Sequence, residues 1–197
     1  MKSNNYSFSF TTSSIRRNET SKLVELYVLY KDWKTVQEYV VEHNVLQQKT
    51  TRSSRKIYGE LVSRLRQLSE SELSLLAHCS ETEKSILLWV AVCRRYHFIH
   101  DFSVEVIREH LFFFKSHLTH GDFDVFFNAK SIVHDNVENL TLSTRRKVKQ
   151  VIFKMLQEVD LIDGDGRLNI ILPSQQLLAL MNVNELESIG IPTFYRT

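Results

Sequence analysis

Glycine and proline are scarce, five and two in 197 residues. These residues punctuate turns and interrupt helices, so their shortage argues against an all-β architecture and predicts long helices joined by short polar connectors. Cysteine is scarcer: only Cys79 and Cys93 occur. Without a CxxC pair or further companions, neither a structural zinc site nor a disulfide framework is supported, and two reduced, packed thiols are expected. Long apolar runs are missing too. The most apolar stretch, Ile86 to Cys93, is followed at once by Arg94 and Arg95, whereas a helix needs about 20 apolar residues to cross a bilayer. Met1 to Ser14 is rich in Ser, Thr and Asn and lacks the apolar core of a secretory signal. A cytoplasmic protein with no membrane partner is the expectation.

There is also no large excess of charge of one sign. Lys and Arg number 25 against 23 Asp and Glu, for a net charge of +2. That is too mild to identify a partner, so any nucleic-acid argument rests on where the charge sits. Hydrophobic residues at 43% and charged residues at 24% are close to the ordinary globular mixture, and a real core is expected.

What is present is mainly helical periodicity. Leu23, Leu26, Tyr27 and Tyr30 recur at helical spacing, and Asp32 is placed to cap a second helix with Trp33, Val36, Tyr39 and Val40 inward. Ile57, Leu61, Leu65 and Leu68 form the stripe of a third helix, with Arg52, Arg55, Lys56, Arg64 and Arg66 expected on its opposite side. Ser69 with Glu72 has capping-box spacing, and Thr119 with Asp122 a related signal. Ser143 or Thr144 is expected to start a strong helix carrying Val148, Val151, Ile152, Met155, Leu156 and Val159 inward. Leu161 and Ile162, then Asp163-Gly164-Asp165-Gly166, then Leu168 to Leu172 read as two short strands around a turn. The fold class expected is all-α with one small β-hairpin, in two helical units of helix-turn-helix and winged-helix character. A polar lead-in over 1–15 precedes an N-terminal helix-turn-helix-like unit over 16–78 and a C-terminal winged-helix-like unit over 79–197.

Two segments concentrate positive charge. Lys49 to Leu68 holds six Lys or Arg against one acid, and Arg145 to Lys154 holds five against none. Such clusters neutralise phosphates and release condensed counterions, although a solvated helix face needs no partner at all. Candidate nucleic-acid contacts are Thr50, Thr51, Arg52, Ser53, Arg55 and Lys56 at the start of one helix. Ser143, Thr144, Arg145, Arg146, Lys147, Lys149 and Gln150 occupy the start of the other, with Arg167 just beyond the turn as the wing candidate. The amino end of a recognition helix approaches base edges and its free amides favour phosphate, yet most such contacts go to backbone. The second cluster is the stronger candidate, because the expected wing lies beside it.

Other chemistry finds little support. His97, His100 and Asp101, or His117, His120, Asp122 and Asp124, match no metal-ligand spacing. Asp163 and Asp165 open like a calcium loop, but Arg167 takes the next ligand position and no bidentate Glu follows. No phosphate-cradling glycine loop and no nucleophile elbow is present. The aromatic set Trp89, Tyr96, Phe98, Phe102, Phe123, Phe126 and Phe127 has the periodicity of core packing rather than of a base-stacking platform. No metal, cofactor, catalytic residue or small-molecule substrate is expected.

Three stretches together carry a resemblance. They are Asn44-Val-Leu-Gln-Gln-Lys-Thr50; Cys93-Arg-Arg-Tyr-His-Phe-Ile-His-Asp-Phe102 with Val104-Glu-Val-Ile-Arg-Glu109; and Asp122-Phe-Asp-Val-Phe-Phe-Asn-Ala-Lys130 followed by Ser143-Thr-Arg-Arg-Lys-Val-Lys-Gln150. From about residue 15 to 172 the chain resembles BrxA, the small accessory protein family of BREX bacteriophage-exclusion systems. The resemblance implies a cytoplasmic bacterial or archaeal protein, encoded beside methyltransferase, ATPase and phosphatase-like partners, acting against phage. It implies DNA binding with helix-turn-helix character, a likeness to the RNA-binding antitermination factor NusB, and no catalytic residue. The expected function is therefore a non-catalytic accessory protein that binds duplex DNA mainly through phosphates, with other BREX components as further partners. The alternatives are a protein–protein adaptor within the BREX complex and a NusB-like RNA-binding module.

Overall fold

The computed structural model describes residues 5–193. Residues 1–4 of the expected lead-in and 194–197 of the expected C-terminal unit lie outside it. Its helices are α1 Arg17–Tyr30, α2 Trp33–Glu42, α3 Thr51–Leu65, α4 Glu70–His78, α5 Glu81–Arg95, α6 His97–Phe102, α7 Arg108–Phe112, α8 His120–Val133, α9 Asp135–Glu138, α10 Leu142–Glu158, α11 Gln175–Leu180 and α12 Val183–Ser188. A π-helical turn, Ser103–Ile107, joins α6 to α7, and a 3-10 turn, Ser9–Thr12, precedes α1.

Side-chain caps set most of the boundaries, because the first amides of a helix have no partner inside it. Asp32 accepts from the Thr35 amide at 2.8 Å. Ser69 with Glu72, and Thr119 with Asp122, form the reciprocal boxes that their spacing predicts. Ser80 and Glu83 form a third box at the start of α5. The basic helix α10 begins slightly earlier than expected, with Thr141 and not Ser143 or Thr144 as its cap, accepting from the Thr144 amide at 3.2 Å.

The most apolar stretch of the sequence became the centre of the molecule. Every residue from Ser85 to Cys93 on α5 is buried, as a helix apolar on all sides must be. Helices α3, α4 and α6 pack against it, and the Trp89 indole donates to the Ile189 carbonyl at 3.4 Å. Among the described residues no helix is long and apolar enough to cross a membrane. The aromatic set lies in the core, where Phe98 meets Phe126 edge-on at 5.2 Å and Phe102 does the same. Both thiols are free; burial pushes Cys93 up to about 12 and Cys79 up to about 11, which keeps them protonated.

One basic residue expected on the solvent side of α3 is not there. Arg64 is only 3% exposed. Its guanidinium donates to the carbonyls of Ser13 at 2.6 Å and Ser14 at 2.7 Å, and lies 3.4 Å from Glu60. Ser14 and the Ile15 amide in turn donate to the Glu158 carboxylate at 2.9 and 2.7 Å. Phe10 and Ile15 are buried, so the segment before α1 is strapped across α3 and the end of α10.

The expected hairpin and winged-helix character are not supported. Among the described residues there is no strand, only isolated antiparallel bridges joining Ile162 to Leu168 and His117 to Arg167. Two backbone bonds cross between the arms, from the Asp163 amide to the Arg167 carbonyl at 3.0 Å and from the Asn169 amide to the Leu161 carbonyl at 2.9 Å, and the pairing stops there. The Asp163 carboxylate accepts the amides of Asp165 and Arg167, both at 2.9 Å. The Leu168 amide goes to the Ser116 carbonyl and the Leu118 amide to the Gly166 carbonyl. Gly166 is required for this crossing. Its φ is +83°, and a Cβ there would stand 2.6 Å from the Leu118 carbonyl oxygen.

Candidate nucleic-acid interface

At the amino end of α3, Thr50, Thr51, Arg52, Ser53, Arg55 and Lys56 are all exposed. Thr50 is the helix cap: its hydroxyl oxygen accepts from the Ser53 amide at 3.1 Å and its hydroxyl donates to Ser53 Oγ at 3.0 Å. These two hydroxyls hold the helix start. Among the described residues no carboxylate pairs with Lys49, Arg52, Arg55 or Lys56. Four uncompensated cations therefore stand within two turns, next to helix amides whose dipole already favours an anion.

The α10 cluster divides by helix face. Arg145 and Lys149, one turn apart, point back to α8, where Asp124 accepts from Arg145 Nη2 at 3.0 Å and from Lys149 Nζ at 2.8 Å. The Arg145 guanidinium also lies 4.5 Å from the centre of the Phe127 ring. Lys149, with Arg145 adding to it, holds the Asp124 carboxyl below the usual carboxylate range. Two candidates thus fasten α10 to α8. Arg146, Lys147 and Gln150 face solvent. Lys147 reaches only Gln150, at 3.4 Å. Arg146 and Gln150 line a shallow groove with His120, Phe153 and Lys154. Ser143 is exposed and Thr144 half-buried, their hydroxyls 3.0 and 2.9 Å from that of the cap Thr141. Arg167 is exposed, and among the described residues its side chain makes no ion pair.

Sequence reasoning missed Asp124 as the partner of α10. Its signal was an acid between core aromatics on a facing helix, which an inventory of metal ligands misfiles. Among the described residues no three His, Cys, Asp or Glu converge as metal ligands would. The carboxylates of the two His/Asp sets are occupied: Asp101 by Tyr6 and Lys130, Asp122 by Thr119 and His110, and Asp124 by the α10 cations.

Similarity to known proteins agrees with this organisation. A crystal structure of an uncharacterized protein from Magnetospirillum magneticum has the same fold, with a TM-score of 0.74 and 19% identity over 94% of this chain and 97% of that one. A protein of Escherichia coli O9:H4 (strain HS) described as BREX protein BrxA is 28% identical over 177 residues, 88% of this chain and 83% of the relative. A Bacillus cereus (strain H3081.97) protein of the same description is 27% identical over 124 residues, 62% of each. The BrxA family model matches residues 4–185, nearly the whole chain, and the protein belongs to the BrxA family.

Proposed function

We propose that this protein is a non-catalytic accessory component of a BREX phage-defence system that binds duplex DNA mainly through its phosphates. The observation that carries the reading is the amino end of α3, where Lys49, Arg52, Arg55 and Lys56 are exposed with no acidic partner among the described residues. Like charges so placed repel one another, and a polyanion relieves that repulsion while releasing its own counterions. The solvent side of α10 adds Arg146, Lys147 and Gln150, and Arg167, just beyond the turn that follows the helix, is a further exposed cation. The order of α9, a connector over 139–141 and α10 has helix-turn-helix spacing. The relatives described as BREX proteins supply the defence setting and make other BREX components the natural partners.

The test is a mobility shift across a salt series with duplex DNA, single-stranded DNA and RNA of equal length. Duplex binding is expected at about 50 mM salt and should weaken steeply as salt rises. The triple variant Arg52→Glu, Arg55→Glu, Lys56→Glu should abolish it with the helical circular-dichroism signal intact. Tighter binding to RNA would favour the NusB-like alternative, and binding to none of the three would defeat the nucleic-acid reading.

An adaptor role has its own supporting observation. Phe112, Phe113 and Phe114, consecutive at the end of α7 and just beyond it, are 72%, 62% and 94% exposed, and contiguous exposed apolar surface marks contact sites. Here the partner is another BREX component, and Phe113→Ser with Phe114→Ser should break co-elution with it while leaving duplex binding unchanged.

A further inference from the structure

Gly59 lies in the interior of α3, on its exposed side. Glycine is among the poorest helix formers and is usually retained where the backbone needs a positive φ or a neighbour presses on the Cβ position. Neither holds here: the backbone is helical, and a Cβ built on Gly59 meets nothing within 4 Å. What the missing side chain does is keep open a groove between α2, α3 and the end of α5.

Three cations, Lys34, Arg66 and Arg95, line this groove, and no carboxylate does. None of the three makes an ion pair among the described residues. Arg95 is held in place, its guanidinium 5.3 Å from the centre of the Tyr96 ring and its Nε donating to Ser63 Oγ at 3.4 Å. The amides of Gln37 and Gln67 and the indole of Trp33 complete the wall. Trp33 is itself stacked on Tyr27 at 4.1 Å, which fixes the ring plane.

Like charges around a concavity concentrate positive potential there, and a bound anion removes their repulsion. Guanidinium and ammonium groups match phosphate oxygens with charge-assisted hydrogen bonds. A fixed aromatic ring beside them offers a surface to a base of any identity, and side-chain amides offer both donors and acceptors to its edge.

We infer that the groove over Gly59 is a binding site for the phosphate group of a nucleotide, with Trp33 beside the base. This goes beyond duplex binding by the amino end of α3, uses different side chains, and stands or falls separately from it. The phosphate comes either from a free nucleotide or from a single strand, and the two are separable by titration.

Trp33 reports occupancy, because the other tryptophan, Trp89, is fully buried. The protein is titrated with inorganic phosphate, with deoxyadenosine monophosphate and with a short single-stranded oligonucleotide, following tryptophan fluorescence. Saturable quenching by the mononucleotide or by the oligonucleotide is expected, and whichever binds tighter identifies the source. Lys34→Gln with Arg66→Gln, both exposed and outside any ion pair, should weaken that binding at least about tenfold. Gly59→Leu keeps all three cations and meets no clash at its Cβ, yet it should block the site. Quenching by none of the three, quenching by inorganic phosphate alone, or unchanged binding in either variant would overturn the assignment.

Discussion

Lys149 on α10 is bound to Asp124 on α8, Nζ to Oδ2, at 2.8 Å. Arg145 takes the other oxygen of the same carboxylate at 3.0 Å. The densest basic segment of the chain is therefore partly neutralised within the molecule. Asp124→Asn should cost only about 1 kcal/mol or less, since the three side chains are 22% to 38% exposed and screened by solvent. The same change should strengthen duplex binding, and the slope of log K against log salt should steepen by up to about 0.9 for each freed contact. Weaker binding by a folded Asp124→Asn protein would remove α10 from the DNA face.

Arg64→Met should destabilise the fold by about 3 to 5 kcal/mol in urea denaturation. The buried guanidinium satisfies the Ser13 and Ser14 carbonyls and the adjacent Glu60, and methionine leaves all three without that donor. A loss below about 1 kcal/mol would mean that the strap before α1 is held by apolar packing alone.

Acid should weaken the protein through a small set of carboxylates. Burial alone would raise the pKa of Glu72, but hydrogen bonds from Arg94 and the Ser69 amide outweigh it and hold the group low. Asp101 is held low against its burial by Tyr6 and Lys130, and Asp122 against its burial by Thr119. A depressed folded pKa gives stability that is fully present above the unfolded value, about 3.9 for Asp and 4.3 for Glu, and is lost as pH falls through the folded value. These groups leave Tm flat between pH 7 and about pH 5.5 and lower it below about pH 4. Arg94→Gln should remove most of the Glu72 contribution, and a scan of Tm against pH in both proteins checks it.

Gly166→Ala should cost about 1 to 3 kcal/mol, combining a left-handed backbone with a clash against the Leu118 carbonyl. Gly164→Ala, two residues earlier and with open space around it, should change little. Thermal denaturation of the two variants side by side separates a required glycine from a tolerated one.

Caps were legible because their partners lie within four residues, as Asp32 with Thr35 and Ser69 with Glu72 do, and the core aromatics because their helical spacing marks a single buried face. The segment Leu161 to Leu172 misled for the same reason. Its turn residues and apolar flanks satisfy the local rule for a hairpin, but the pairing ends after the single Ile162–Leu168 bridge, and the outward amide of Leu168 goes to the Ser116 carbonyl, remote in sequence. Periodicity also places Arg64 beside Arg55 and Arg66 without revealing that the chain before α1 folds over it. In the basic clusters the residue types pointed to anion binding, but only the arrangement of α8 against α10 shows which cations are already occupied.

The strap across α3 and α10 also bears on how the chain folds during synthesis. Ser14 and Ile15 find their carboxylate at Glu158, more than 140 positions later. They leave the ribosome long before that partner exists, so α3 must wait with the ceiling over Arg64 unfinished until α10 has emerged. Contacts so distant in sequence carry a large closure entropy and slow the search. The N-terminal helices should therefore remain protease-sensitive on stalled chains that stop before α10, and become protected together once it is complete.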